Sequence, residues 1–429
     1  MGPGSCYDVI VVGGGPAGAA AGAWLAQRGK RVLIVERETF PRFSVGESLL
    51  PHGNDLLREI GVWEKVEAAG FMTKRGAEFC SGDKSRTLRF WFERNLGGEY
   101  AHSFQVERAK FDAILLDHAK ESGCEVLCPA KAVALETLAT GVRLSCAVED
   151  GERVLEAGWL LDCSGRSSFA GAQLRLRREE TQSTKRLAVY NHFRGVFRNG
   201  GKAEGHITIV RGRDAWFWMI PLAGGVTSVG VVMPTPRGGA SGVKFDAQAA
   251  FYAALEATPE ARDRMAGAEE VCDFRATVDY SWRHTVFAQG RVILSGDAAG
   301  FVDPIFSSGV MLALKSSLRA SELIVRVSVE QRGLDEVECA EYTREVACWM
   351  NQYSRIIGAF YDAAGFEVFM NPAAILSIPA SIGRLVGGFP RPGLMDRLRL
   401  RIFFLICQLQ KVIRLAPGIG WLREAPSGR

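Results

Sequence analysis

Several short stretches of this sequence combine residue types at spacings that could do chemistry. Gly13-x-Gly15-x-x-Gly18 would let a backbone wrap a pyrophosphate: Gly13 permits a tight turn, Gly15 a close approach to phosphates, and Gly18 tight packing of a helix on a strand. Glu36, at the end of the next apolar run, is placed to accept hydrogen bonds from a ribose. Farther along, Asp162-Cys163-Ser164-Gly165-Arg166 and Gly296-Asp297-Ala298-Ala299-Gly300 each close an apolar run, as strand ends do when they deliver carboxylates and glycines to one crevice. Lys74 supplies an amine that burial would draw toward neutrality, whereas Arg75 beside it stays protonated. Taken alone, such a pair is usually a solvated face. Ser308 and Gly309 stand where a turn opens a helix, and backbone N–H groups there form an anion nest. The plainer use of the same residues is an N-cap by Ser307 or Ser308. Trp216 and Trp218, two apart on a strand, share one face and could form a wall, although such rings more often fill a sheet core.

The elements that must position these groups can be read from periodicity. Tyr7 to Val12 is a short apolar strand, followed by the glycine turn, an Ala-rich helix to about Arg28, and a second strand from Arg31 to Val35. Ala157 to Leu161 and Arg291 to Ser295 read as further strands of the same sheet. This pattern predicts an α/β fold with a Rossmann-like nucleotide-binding domain over 6–330, assembled discontinuously from 6–80, 105–178 and 286–330. Between 180 and 285 the pattern turns β-rich, with His206 to Val210, Trp216 to Pro221 and Ser228 to Met233 as an inserted antiparallel substrate sheet. From 331 to 429 helical periodicity dominates, interrupted at Pro372, Pro379, Pro390, Pro392 and Pro417.

Composition narrows the class. A chain of 429 residues with 47% hydrophobic residues buries more than one core, which excludes a small binding module. The 52 basic residues barely exceed the 48 acidic ones and are dispersed, so no nucleic-acid partner is expected. The ten cysteines include no CxxC pair and no His/Cys cluster, so no metal is expected and reduced thiols in a cytoplasmic protein fit best. Met1 to Ser5 has no apolar run and reads as the remnant of an expression tag. The longest apolar candidate for a span, Ile402 to Cys407, stops at Gln408, which argues against a membrane helix.

The order of the two Gly-Asp-type strand ends after the glycine fingerprint resembles the flavoprotein monooxygenase superfamily, whose familiar fold example is para-hydroxybenzoate hydroxylase. That resemblance implies FAD, with Gly296 and Asp297 at its ribityl and pyrophosphate region. It also implies cofactor contact by Gln105 and Arg108, in Gln105-Val-Glu-Arg108-x-x-Phe111-Asp112; a surface salt bridge is the alternative for Arg108. Trp216-Phe217-Trp218-Met219-Ile220-Pro221 is similar to the WxWxIP signature of flavin-dependent halogenases, a likeness covering most of 6–330. Within that family Lys74, two residues before Gly76, aligns with the essential lysine. Ser308 and Gly309 align with the site for chloride or bromide, and Pro304, Glu47 and Ser48 with loops near the flavin. Phe306 departs from the tryptophan halogenases, which carry a glutamate there. The run Phe301 to Gly309 looks more like halogenases of phenols and of carrier-bound pyrroles or aryl groups, rings that stabilise their own cation.

The expected activity is therefore halogenation of an electron-rich ring, free or carrier-bound: reduced FAD and O2 oxidise halide to hypohalous acid, which passes the tryptophans to Lys74. The sequence has one nucleotide fingerprint, so a separate flavin reductase is the expected transient partner. Two other readings stand beside it. One is a non-halogenating monooxygenase or geranylgeranyl-reductase-like flavoprotein. The other is a membrane-associated protein, because Arg397, Arg399, Arg401, Lys411 and Arg414 flank apolar Ile402 to Ile406.

Overall fold

In the computed structural model, residues 6–181, 185–235, 245–279, 281–371, 378–389 and 393–423 are described. Met1 to Ser5, Pro372, Pro390 and Pro392 lie outside the described residues. Strand Cys6–Val12 runs parallel to Val32–Val35 on one side and to Gly151–Asp162 on the other. Glu125–Leu127 and Val292–Leu294 extend the parallel sheet at its two edges. The strand cores are apolar in unbroken runs because both faces are covered, and Val9, Ile10 and Val11 are fully buried. Helix Pro16–Ala26 packs on helices Arg108–Glu121 and Gly309–Ser328. The parallel strands all end at one edge, which brings Gly13, Glu36, Cys163 and Ser295 together.

The second sheet is ordered Glu269–Glu270, Arg186–Arg194, Val226–Pro234, Trp216–Pro221, Ile207–Arg211, Gly76–Ser81 and Thr87–Trp91, with Arg275–Asp279 also on Arg186–Arg194. Two features differ from the sequence expectation. The sheet takes Gly76–Ser81 and Thr87–Trp91 from ahead of the 180–285 segment, and Gly76–Ser81 pairs parallel to Ile207–Arg211, so the sheet is not purely antiparallel. Alternation along Trp216–Pro221 follows the two-residue period. Trp216 and Trp218 join the main core, whereas Phe217 faces a second core under helix Ala247–Glu256, where it meets Phe251 edge to face at 5.9 Å.

Helices Glu336–Tyr361, Ala363–Met370, Ile378–Val386 and Leu394–Leu409 form the C-terminal part. The first starts at a capping box, Glu338 N to Asp335 Oδ1 at 2.8 Å and Asp335 N to Glu338 Oε2 at 3.1 Å. Pro379 is the second residue of helix Ile378–Val386, directly after residues 372–377, which lie outside the described ones. Among the described residues no helix is long and apolar enough to cross a membrane.

Candidate functional site

A cavity of about 840 Å³ extends from the glycine turn to the tryptophan pair. At one end Gly13 has φ +103°, and a side chain there would meet Cys163 O at 2.4 Å. Gly15 faces the cavity at the N-terminus of helix Pro16–Ala26, while Gly18 lies behind it, where a Cβ would fall 1.8 Å from Gly13 O. The Glu36 carboxylate lines the cavity and accepts from Gly14 N at 2.6 Å and Glu38 N at 2.8 Å. These bonds aim it across the turn and leave lone pairs for ribose hydroxyls. Buried Asp162 instead accepts from Ser164 N and Ala170 N, at 2.9 and 2.7 Å, and so shapes the loop that presents Cys163 to Arg166.

Asp297 lines the cavity beyond this loop. Burial pushes its carboxyl up to about 6, against the opposing pull of Arg166 and Arg108. Gly296 itself lies behind the wall, with φ +58° and its N–H donated to Ser316 Oγ at 2.9 Å. Arg108 is no surface salt bridge: it is 7% exposed, grips Asp112 through two bonds of 2.7 and 2.9 Å, and reaches the Val45 carbonyl while lining the cavity. Gln105 does not line this cavity. Its Nε2 donates to Gly205 O at 3.0 Å, placing it between the short strand Met72–Lys74, on which it pairs with Met72, and the second sheet. Glu47 and Ser48 both line the cavity, and Glu47 Oε1 meets His192 Nε2 at 2.9 Å, tying their loop to the second sheet.

At the far end Trp216 and Trp218 stand with ring centroids 6.0 Å apart. Trp218 lies over Gly230 of the neighbouring strand, where a Cβ would come within 2.2 Å of the indole. Pro304 and Gly309 line the same end. Ser307 occupies the left-handed region at φ +57°, and the helix Gly309–Ser328 begins directly after Ser308. Neither serine caps that helix by its side chain. Ser308 Oγ is fully buried without a described partner, and the space beside Gly309 is open. Free backbone donors, a positive helix end and an unpaired hydroxyl suit a small anion.

Lys74 lies outside the large cavity, in a second pocket of about 10 Å³ walled by Leu50, Phe79, Phe92, Ile305, Phe306 and Val386. Ile207, Ile209 and Ser307 line both spaces and form the partition between them. Lys74 is 1% exposed, and its Nζ donates to Leu49 O at 2.8 Å. Burial pulls its ammonium down to about 7, so near neutral pH much of it is free amine. Sequence reasoning missed Tyr361 and Asp303, which meet at Trp216, and His192 at Glu47; nothing in the local pattern marks partners so distant in the chain.

The turn, the ribose-facing carboxylate and Asp297 fit FAD. The family model for an FAD binding domain matches residues 6–347. The chain is thus an FAD-binding flavoprotein of the doubly wound class. It is 31% identical over 379 residues, 83% of each chain, to a chlorinase of 1H-pyrrole-2-carbonyl peptidyl-carrier protein from Pseudomonas fluorescens. It is also 31% identical over 320 residues, 74% of this chain and 77% of the relative, to the corresponding brominase of Pseudoalteromonas luteoviolacea. The structure of the flavin-dependent brominase Bmp2 superposes with a TM-score of 0.81 at 26% identity, covering 95% of this chain and 100% of that one. A flavoprotein from Cytophaga hutchinsonii gives 0.84 at 26%, over 96% and 99%. The chain belongs to the flavin-dependent halogenases.

Proposed function

We propose that this halogenase chlorinates or brominates a pyrrole or phenol, presented on a carrier protein, at the amine of Lys74. The observation that carries the reading is a buried amine in an apolar pocket that shares a partition with the cofactor cavity. Reduced FAD, delivered by a separate flavin reductase in the cytoplasm, supplies the electrons with which O2 is activated for halide oxidation. Gly13, Gly15, Glu36, Arg108 and Asp297 would hold it, with Gly18 keeping the turn compact and Gly296 shaping the strand end.

Ser308 Oγ and the N–H groups opening helix Gly309–Ser328 would hold the halide near Pro304. Trp216 and Trp218, on the cofactor side of the partition of Ile207, Ile209 and Ser307, would help keep the organic ring from the cofactor, so that only hypohalous acid crosses. The neutral Lys74 amine then takes the halogen: an N–halogen bond forms, the O–halogen bond breaks, and water leaves. Attack by the ring returns the amine and, after proton loss, yields the haloarene. The pocket walls bring no carboxylate, and Phe306 stands where a stabilising base would act, so the ring must donate its own lone pair. A carrier-bound substrate is supported by the activities of the two bacterial relatives.

Anaerobically reduced holoenzyme mixed with O2, halide and a panel of free and carrier-tethered pyrroles and phenols tests this. A halogen isotope pattern on a tethered pyrrole or phenol is the expected result. Oxygenation without halide dependence would replace the reading with that of a monooxygenase.

A further inference from the structure

Trp216, Asp303 and Tyr361 come from three separate parts of the chain: the second sheet, the loop before helix Gly309–Ser328, and the last residue of helix Glu336–Tyr361. The Trp216 indole N–H donates to Tyr361 Oη at 2.7 Å, and the Tyr361 hydroxyl donates to Asp303 Oδ2 at 2.7 Å. Asp303 Oδ1 accepts from Ile305 N at 3.2 Å, which holds the first turn of the loop leading to Ser308. The Arg186 guanidinium lies over the Tyr361 ring, 3.5 Å from its centroid, and fixes the ring's plane. Asp303 is 1% exposed, so its charge depends on these neighbours.

One hydroxyl therefore satisfies two buried groups at once. Without it, the indole N–H and one carboxylate oxygen would both lose a partner, and each could recover one only by moving. Trp216 lines the tryptophan end of the cavity and Asp303 begins the turn that ends at Ser308 and Gly309, so the hydroxyl joins the two.

We propose that Tyr361 is a positioning residue that braces the tryptophan wall against the halide loop, and so couples oxidant formation to halogenation. This rests on the reading of Trp216 as the wall and of Ser308 and Gly309 as the halide site. The C-terminal helix is on this account part of the reaction chamber as well as its cover.

Tyr361→Phe keeps the ring beneath Arg186 and removes only the hydroxyl. FAD affinity is expected to stay within about twofold, while product formed per peroxide released falls about tenfold and the KM for halide rises, as loss of one buried hydrogen bond predicts. In a double-mutant cycle, adding Trp216→Phe to Tyr361→Phe should cost little more than the worse single change. A normal product-to-peroxide ratio in Tyr361→Phe, or strictly additive losses in the cycle, would overturn the proposal. A spectrum of isotope-labelled tryptophan supplies a readout independent of turnover. In the wild-type protein the Trp216 N–H should resist exchange and should shift in Tyr361→Phe; a freely exchanging wild-type signal would also overturn the brace. If wild-type enzyme makes no halogenated product with any ring, the functional reading fails, while the indole signal and the peroxide release still decide the role of Tyr361.

Discussion

The burial of Lys74 is a stability cost. Its pKa of about 7 in the folded protein lies below the ordinary 10.5, because burial disfavours the ammonium. Below pH 7 both states hold the proton and the fold bears the whole desolvation cost, on the order of 5 kcal/mol. Between pH 7 and 10.5 the unfolded chain alone keeps it, so stability rises with pH across that window. Lys74→Met should accordingly raise the melting temperature near about pH 6 and lose most of that gain near about pH 10. An equal gain at both values would show that the ammonium is not desolvated. For activity, Lys74→Arg should retain FAD and consume O2 yet give no halogenated product, since a guanidinium offers no free amine. Mass spectrometry of the product checks this, and normal yield would remove Lys74 from the chemistry.

Two elements, the glycine turn and the strand Trp216–Pro221, set the ends of the cavity. Gly18→Ala places a methyl 1.8 Å from Gly13 O, which forces helix Pro16–Ala26 off the sheet. FAD affinity, read by fluorescence titration, should fall at least about tenfold, because the helix N-terminus would no longer meet the phosphates. Unchanged affinity would mean that the turn does not cradle the cofactor. On the strand, Trp216→Ala and Trp218→Ala distinguish a wall from a packed core. A core ring predicts a loss of about 3–5 kcal/mol in stability with normal coupling in the folded fraction. A wall predicts peroxide release in excess of product, and that is the expected outcome.

At the scale of the whole molecule, buried polar contacts tie the C-terminal helices to one another, and Tyr342 Oη ties them to the parallel sheet by donating to Leu294 O at 2.9 Å. Glu367 is fully buried and accepts from Gln410 Nε2 at 2.8 Å and from Ile419 N at 2.9 Å, pinning the segment after helix Leu394–Leu409. Glu367→Ala should cost about 2 kcal/mol and raise hydrogen exchange around Gln410 and Ile419, without changing FAD affinity. Exchange confined to its wild-type level would show that the segment is held elsewhere. Helix Ile378–Val386 contributes Val386 to the Lys74 pocket, so this part of the chain also shapes the walls around the amine.

The glycine turn and the shared face of Trp216 and Trp218 were legible in the sequence because both follow from local rules: glycine's freedom at positive φ, and the two-residue period of a strand. Lys74 was legible through its likeness to a family motif, and its burial was not, because burial depends on what packs over it. Gln105 shows the limit of such carry-over, since its place in the motif did not bring it to the cavity. The parallel pairing of Gly76–Ser81 with Ile207–Arg211 and the bond from Trp216 to Tyr361, 145 residues on, are choices among many distant partners of equal local merit. Periodicity and turn chemistry act over a few residues, so they determine elements and faces. Which buried hydroxyl meets which carboxylate is decided only when those elements close on one another and each desolvated group must find a partner.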